Sequence, residues 1–212
     1  MTKVALSADG IFRAALDLVD AEGLEALTMR RLAADLGVAT MSLYGHVPNK
    51  DDLLTGLVNL ATCEIQLPSP HAEPWDGLRS IIREFRRVSL VHPNLVPLIV
   101  RQPPTGAAGL RTLEAALDAM RRAGLDGGAA VRAYRVTASY AIGFVSLECG
   151  GFFKPIDPSA GGQVAPIDIS AIPRIVEMAA ELTDWNADED VEAGLELLVG
   201  VLSRATAGAG LA

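Results

Sequence analysis

Apolar residues recur every third or fourth position along nearly the whole chain, a spacing that only helices turn into a continuous buried face. Ser7 stands ahead of Ile11, Phe12, Ala15, Leu16, Leu18 and Val19, which share one helical face, and Gly23 follows as a stop. Thr28 opens a second helix with Leu32, Ala33 and Leu36 inward and Gly37 as its end, and a short third helix is expected over 39–45. Asn49 caps a fourth, expected to run to about Leu67, with Asp51 and Asp52 in the first turn where the helix dipole favours acids. After the turn-rich link PSPHAEP, longer helices are expected at about 75–91, 93–101, 105–123, 126–149, 170–183 and 187–207. The Gly- and Pro-dense stretch 150–166 reads as a loop. The fold class is therefore all-α, with a small helical bundle over 1–48, a connecting helix over 49–67 and a larger helical domain over 68–212.

Charge and cysteine usage narrow the setting. A formal net charge of -8 argues against a broadly basic coat for nucleic acid. Cys63 and Cys149 lie far apart and form no disulfide framework, and no apolar run reaches the roughly 18 residues of a membrane span. With no apolar signal core in MTKVALSADGIF, the expected setting is cytoplasmic and reducing, with no membrane contact.

The stretch DLGVATMSLYGHV, residues 35–47, carries the functional signal. Two short helices joined at Gly37 form a helix-turn-helix candidate. Leu32, Ala33 and Leu36 on the first, with Val38, Leu43 and Val47 on the second, fix the crossing. Thr40, Met41, Ser42, Tyr44 and His46 are left pointing outward. Hydroxyls of this kind reach bases or phosphates, and a Met methyl packs against a thymine methyl in the major groove. Lys50, at the start of the next helix, suits a phosphate. Residues 1–60 hold five Lys and Arg against eight Asp and Glu, yet 27–50 hold Arg30, Arg31 and Lys50 against Asp35 alone, so positive charge gathers on the proposed DNA face. Read on pattern alone, 28–47 is equally a helical hairpin inside a core.

A resemblance separates these readings. The run LTMRRLAADLGVATMSLYGHVPNKDDLL is similar to the DNA-binding domain of TetR-family transcriptional repressors, through its L-T-x-R-x-L-A pattern, L-G-V turn, L-Y-x-H-V close and N-K-x-x-L-L start of the fourth helix. The resemblance implies double-stranded DNA as partner. It implies that Arg30 reaches a base, that Thr40 and Met41 face base edges, and that Ser42, Tyr44, His46 and Lys50 grip phosphates, with Thr28 at the same surface. Gly45 departs from the tetracycline repressors, which carry Trp there, so operator preference does not transfer.

The larger domain carries a second resemblance. EPWDGLRSIIREFRRVSLVHPNLVPLIVRQPPT followed by LRTLEAALDAMRRAGL resembles the tetracycline-repressor type of C-terminal domain over about 74–148. It implies a small-molecule effector in a pocket lined by Gln66, Ile81, Phe85, Ile99, Gln102, Leu113, Ala116, Leu117, Val131, Tyr134, Arg135 and Ala138. Each of these positions also reads as ordinary core. Ile99 stands where the tetracycline repressors hold magnesium through His, and Gln66 and Ile81 replace the polar groups that hold the drug. No metal or other cofactor is therefore expected. The effector expected is mainly apolar, with Tyr134, Arg135 or Gln102 as anchors. Small residues on 126–149 and the Leu-rich face of 187–207 suit close helix packing, and the resemblance implies a homodimer through these two helices.

The remaining chemistry-bearing residues form no catalytic set. His46, His71 and His92 are dispersed, with His92 expected at a helix end; Cys149 beside Glu148 has no base to activate it; Cys63 reads as a small buried residue. Arg86-Arg87 and Arg121-Arg122 read as solvated helix faces. The function expected is a homodimeric transcriptional repressor, not an enzyme, released from a palindromic operator by an effector. The alternatives are a DNA-binding dimer without an effector and an all-α enzyme.

Overall fold

The computed structural model describes residues 6–101, 105–153 and 168–209, which form helices and turns with no strand among the described residues. Helix α1, Ala8–Glu22, begins where Ser7 Oγ accepts a hydrogen bond from the Gly10 N–H at 3.1 Å, a cap that stabilises by about 1 kcal/mol. It ends at Gly23, whose φ of 86° lies in the range glycine adopts without strain. Helix α2, Met29–Asp35, is capped by Thr28 Oγ1 on the Arg31 N–H at 3.1 Å. Gly37, at φ 66°, turns the chain into α3, Thr40–Tyr44. Helix α4, Lys50–Thr62, starts from the Asn49 side chain, which accepts from the Asp52 N–H at 2.8 Å. It closes earlier than the expected Leu67. Cys63 is its cap, and lies exposed rather than buried as the sequence reading had it.

Ile11, Ala15, Val19, Leu27, Leu32, Leu43, Val47, Leu53 and Leu57 form one core, each buried Ile, Leu or Val side chain contributing about 1.5–3 kcal/mol. That core also takes in Val88, Leu95 and Leu98, so the N-terminal helices pack on the stretch leading into the rest of the chain.

Helix α5, Pro74–Val91, starts at Glu73, whose carboxylate accepts from the Trp75 and Asp76 N–H groups, and Pro74 occupies a position that needs no amide proton. A 3-10 turn, Pro93–Leu95, leads into α6, Val96–Arg101; then follow α7, Ala107–Arg122, and α8, Gly127–Gly150. A second core joins Leu78, Ile81 and Ile82 of α5 to Ala116 and Met120 of α7 and to Ala130, Ala133 and Ala141 of α8. Helix α11, Ala187–Ala209, reaches this core through Leu195, and Tyr140 Oη on α8 donates to its Val191 carbonyl at 3.1 Å.

Two expectations are corrected here. The helix expected over 170–183 is instead a 3-10 turn, Ile169–Ala171, followed by two short helices, α9, Pro173–Glu177, and α10, Ala179–Thr183. Ile172 has φ -129° and ψ 48°, outside the helical range, because a following proline disfavours helical backbone at the residue before it. Arg86 is not a solvated cation: its guanidinium donates to Glu148 at 2.8 and 2.6 Å and meets Asp188 at 2.6 Å, with its side chain only 16% exposed. Most of the expected loop 150–166 lies outside the described residues.

Candidate functional site

Two regions, both packed on α4, concern function. The first is the face of α2 and α3. Leu32, Leu43 and Val47 are buried, and their burial fixes which side chains of the two helices remain outward. Arg30, Met41, Ser42, Tyr44, His46 and Lys50 are exposed and Thr40 is half-buried; Met41, at 77% exposed, is a large apolar group held in water. Thr28 is also exposed. Its oxygen is engaged as the α2 cap, which leaves its hydroxyl proton free to donate. Arg31 differs from Arg30 in a way that sequence did not reveal. It is tied to Glu22 at 2.7 Å and Asp35 at 3.1 Å, whereas Arg30 forms no ion pair among the described residues. The net positive charge counted over 27–50 is therefore carried outward by Arg30 and Lys50.

The second region is a cavity of about 140 Å³ between α4, α5, α6, α7 and α8. Of the residues the resemblance implied, Ile81, Phe85, Ile99, Leu113, Ala116, Tyr134 and Ala138 line it. Four described ones do not. Gln66 lies beyond the end of α4, exposed, with its N–H on Glu84 at 3.0 Å. Val131 and Arg135 are exposed on α8, and Leu117 is half-buried next to Ala116 on another side of α7. Gln102 lies outside the described residues.

The lining residues missed from sequence follow a simple rule. Val88 and Ser89 on α5 continue the face of the expected Ile81 and Phe85, and Thr137, Ala141 and Ile142 on α8 continue that of the expected Tyr134 and Ala138, at helical spacing, so each helix gives the cavity one face. Val58, Ala61, Thr62 and Ile65 bring α4 and its C-terminal turn into the same wall. The wall is largely hydrocarbon. Thr62, Thr112 and Thr137 each donate to a carbonyl four residues back on their own helix, at 2.6, 3.1 and 3.0 Å, so their hydroxyl protons are already engaged.

Behind the cavity, Cys149 faces the Ser89 carbonyl at 3.9 Å. Burial pushes its thiol up from the ordinary value, the Glu148 carboxylate adds to this, and Arg86 opposes it. A thiol held in the protonated form is a weak nucleophile.

This geometry, an outward-facing helical hairpin joined by α4 to an apolar cavity, has close counterparts among known proteins. Residues 11–57 match the tetR family of bacterial regulatory proteins, and residues 67–204 match the tetracyclin repressor-like C-terminal domain. The chain belongs to the TetR family. It is thus a DNA-binding transcriptional regulator. A tetracycline repressor of class A from transposon 1721 of Escherichia coli is 31% identical over 96% of this chain and 93% of its own. A Saccharopolyspora erythraea HTH-type transcriptional regulator is 35% identical over 69% of this chain, and the Streptomyces coeruleorubidus repressor DrrR1 is 36% identical over 66%. The matches span only 63% and 53% of those two relatives' lengths. Among solved structures, apo ActR of Streptomyces coelicolor superposes with a TM-score of 0.82 at 27% identity, covering 97% of this chain and 99% of ActR. ActR bound to actinorhodin superposes at 0.81 with 29% identity, over 96% and 99% of the two chains. Among the described residues of this TetR-family chain, no helix is long and apolar enough to cross a membrane.

Proposed function

We propose that the chain is a homodimeric repressor that holds a palindromic operator and releases it when a small, mainly apolar effector fills the cavity. One observation carries this reading: α4 belongs to both halves of the machinery. Its Leu53 and Leu57 sit in the core that holds α2 and α3, while its Val58, Ala61 and Thr62 line the cavity together with Ile99 of α6. A ligand that wedges α4 or α6 aside displaces the DNA-reading hairpin with it.

In the bound state Arg30, Thr40 and Met41 meet base edges, while Thr28, Ser42, Tyr44, His46 and Lys50 hold phosphates. The phosphate contacts set orientation and the base contacts set sequence. ActR, with actinorhodin in its complex, is the pattern for a small organic effector. The hydrocarbon wall here favours a neutral one, because burying an unpaired charge is costly.

Two apolar faces support the homodimer. Val136 and Leu147 on α8 and Leu197 and Val201 on α11 are exposed although large and apolar, with Leu197 at 72%. Four such helices, two from each copy, make a bundle that buries them. Switching from 1:99 to 99:1 between the two states requires about 5.5 kcal/mol of effector preference for the released state.

The test is selection of bound duplexes from a random pool, followed by titration of candidate effectors against the recovered site. A palindrome with half-sites roughly 34–36 Å apart, or a multiple, is expected. Failure of every cavity-binding compound to change operator affinity would overturn the effector part of the proposal and leave a DNA-binding dimer.

A further inference from the structure

Ser89 differs from the threonines of the cavity wall. It is 2% exposed on α5, and its Oγ is buried without a hydrogen-bond partner among the described residues. Asp20 Oδ1 and Trp185 Nε1 are also buried without a hydrogen-bond partner among the described residues, but neither residue lines the cavity. Thr62, Thr112 and Thr137 return their protons to their own helices. Among the buried hydroxyls of the wall, Ser89 alone leaves a donor and an acceptor unused; Tyr134 brings a second, half-buried hydroxyl to a lining made mainly of Ile, Leu, Val, Ala and Phe side chains. A buried hydroxyl left unsatisfied is unfavourable, and it becomes an asset only when a ligand atom completes it.

We propose that Ser89 is the specificity-determining contact of the effector cavity, and that the ligand class is a neutral cyclic hydrocarbon skeleton bearing one oxygen, a carbonyl or a phenol, directed at α5. This rests on the effector-cavity reading above and narrows it. The size of the site agrees with it. A dry apolar cavity of about 150 Å³ accommodates benzene, so the 140 Å³ here holds one ring of such a skeleton, and the remainder extends toward the cavity's opening. Ser89 discriminates within that class: a pure hydrocarbon fills the space and leaves the hydroxyl orphaned, whereas a ketone of the same shape accepts its proton. Gaining affinity through an otherwise unpaired polar group is the way a site distinguishes molecules of nearly equal volume.

The test pairs 1-tetralone with tetralin, the same two-ring frame with and without the carbonyl, by calorimetric titration of the full-length protein and of Ser89→Ala. The wild type is expected to bind tetralone about 2- to 10-fold more tightly than tetralin, the contribution of one neutral hydrogen bond. Ser89→Ala is expected to lose that preference with tetralin affinity held within about twofold, and its ligand-free melting temperature is expected to rise because the orphaned hydroxyl is gone. A preference that survives in Ser89→Ala, or equal binding of the two compounds by the wild type, would overturn the role of Ser89 while leaving the cavity as the effector site. A lower melting temperature for ligand-free Ser89→Ala would show the hydroxyl already bonded within the protein and would also overturn it. Failure of the wild type to bind either compound would overturn the ligand class assigned here, while the effector-cavity reading stands or falls separately by the operator titration above.

Discussion

His92 Nδ1 and the Asp20 carboxylate lie 2.7 Å apart, which joins the end of α5 to the last turns of α1. The other ring nitrogen lies 3.3 Å from Glu64, just past α4, and Asn94 donates to the Val19 and Asp20 carbonyls at 2.9 and 3.4 Å. His92 is 7% exposed, so the three segments are held by a mostly buried clamp. This clamp is a second connection, beside α4, between the cavity-lining α5 and the N-terminal helices. His92→Ala is expected to cost about 1 kcal/mol of stability, at the low end for a lost buried bond because Asp20 and Glu64 remain partly solvated. It is also expected to shrink the effector's influence on operator affinity several-fold while effector affinity itself changes little. Measuring the two affinities separately checks this. Equal loss of both would mean that the clamp only holds the fold.

Arg30 and Tyr44 are both exposed on the hairpin face but are assigned different work. Arg30→Ala is expected to weaken binding by roughly 1–3 kcal/mol on the selected operator and to relax preference at a single base pair, as loss of a base contact does. Tyr44→Ala is expected to weaken binding to most sequences alike and to leave the preference unchanged. Binding curves for each variant against a panel of single-position operator changes decide it. Wild-type behaviour from both would mean that the DNA face lies elsewhere. Arg31→Ala serves as a contrast: with its guanidinium already committed to Glu22 and Asp35, its loss should act on the packing of α1 against α2 more than on base preference.

What sequence disclosed and what it concealed divide by range. The caps Ser7, Thr28 and Asn49 were legible because each acts on an amide group three residues away. The early end of α4 was not, since no glycine or proline marks Cys63 and the apolar spacing continues to Ile65, which turns instead into the cavity wall. Arg86 read as a surface charge because its partner Glu148 is 62 positions away, and nothing local announces it. The cavity was legible as helix faces but not to the residue. Position 134 of α8 lines it while 135, a third of a turn round, is in solvent, and the missed Ser89 follows Phe85 by four positions on the same face.

The two cysteines should react at very different rates. Cys63 is exposed, while Cys149 is half-buried with its thiol pushed up, chiefly by burial and then by Glu148. The sign follows directly: a raised thiol value means less thiolate at any given pH below it, so the alkylation rate of Cys149 keeps climbing to a higher pH than that of an ordinary cysteine. Iodoacetamide at about pH 8, near the ordinary thiol value of about 8.5, is expected to modify Cys63 first, as mass spectrometry of the digested protein would show. Faster labelling of Cys149 would mean that the end of α8 opens in solution.

The proposed dimer makes the sharpest structural demand. Leu197, at 72% exposed, and Val201, at 58%, lie one turn apart on α11, while Gly194 and Leu195 of the same helix turn inward against Tyr140 and the second core. The outward face is therefore a separate surface, and altering it leaves the subunit's own packing intact. Leu197→Glu places a carboxylate where two copies would meet, and burying it in an apolar interface is unfavourable by several kcal/mol. The expected outcome is a folded monomer by analytical ultracentrifugation, with the helical circular dichroism of each chain retained. Operator affinity should fall steeply, because a single hairpin keeps half of the base contacts and loses the gain from linking two half-sites. A variant that remains dimeric would place the interface on another surface, and a monomer with full operator affinity would show that one subunit reads the site alone.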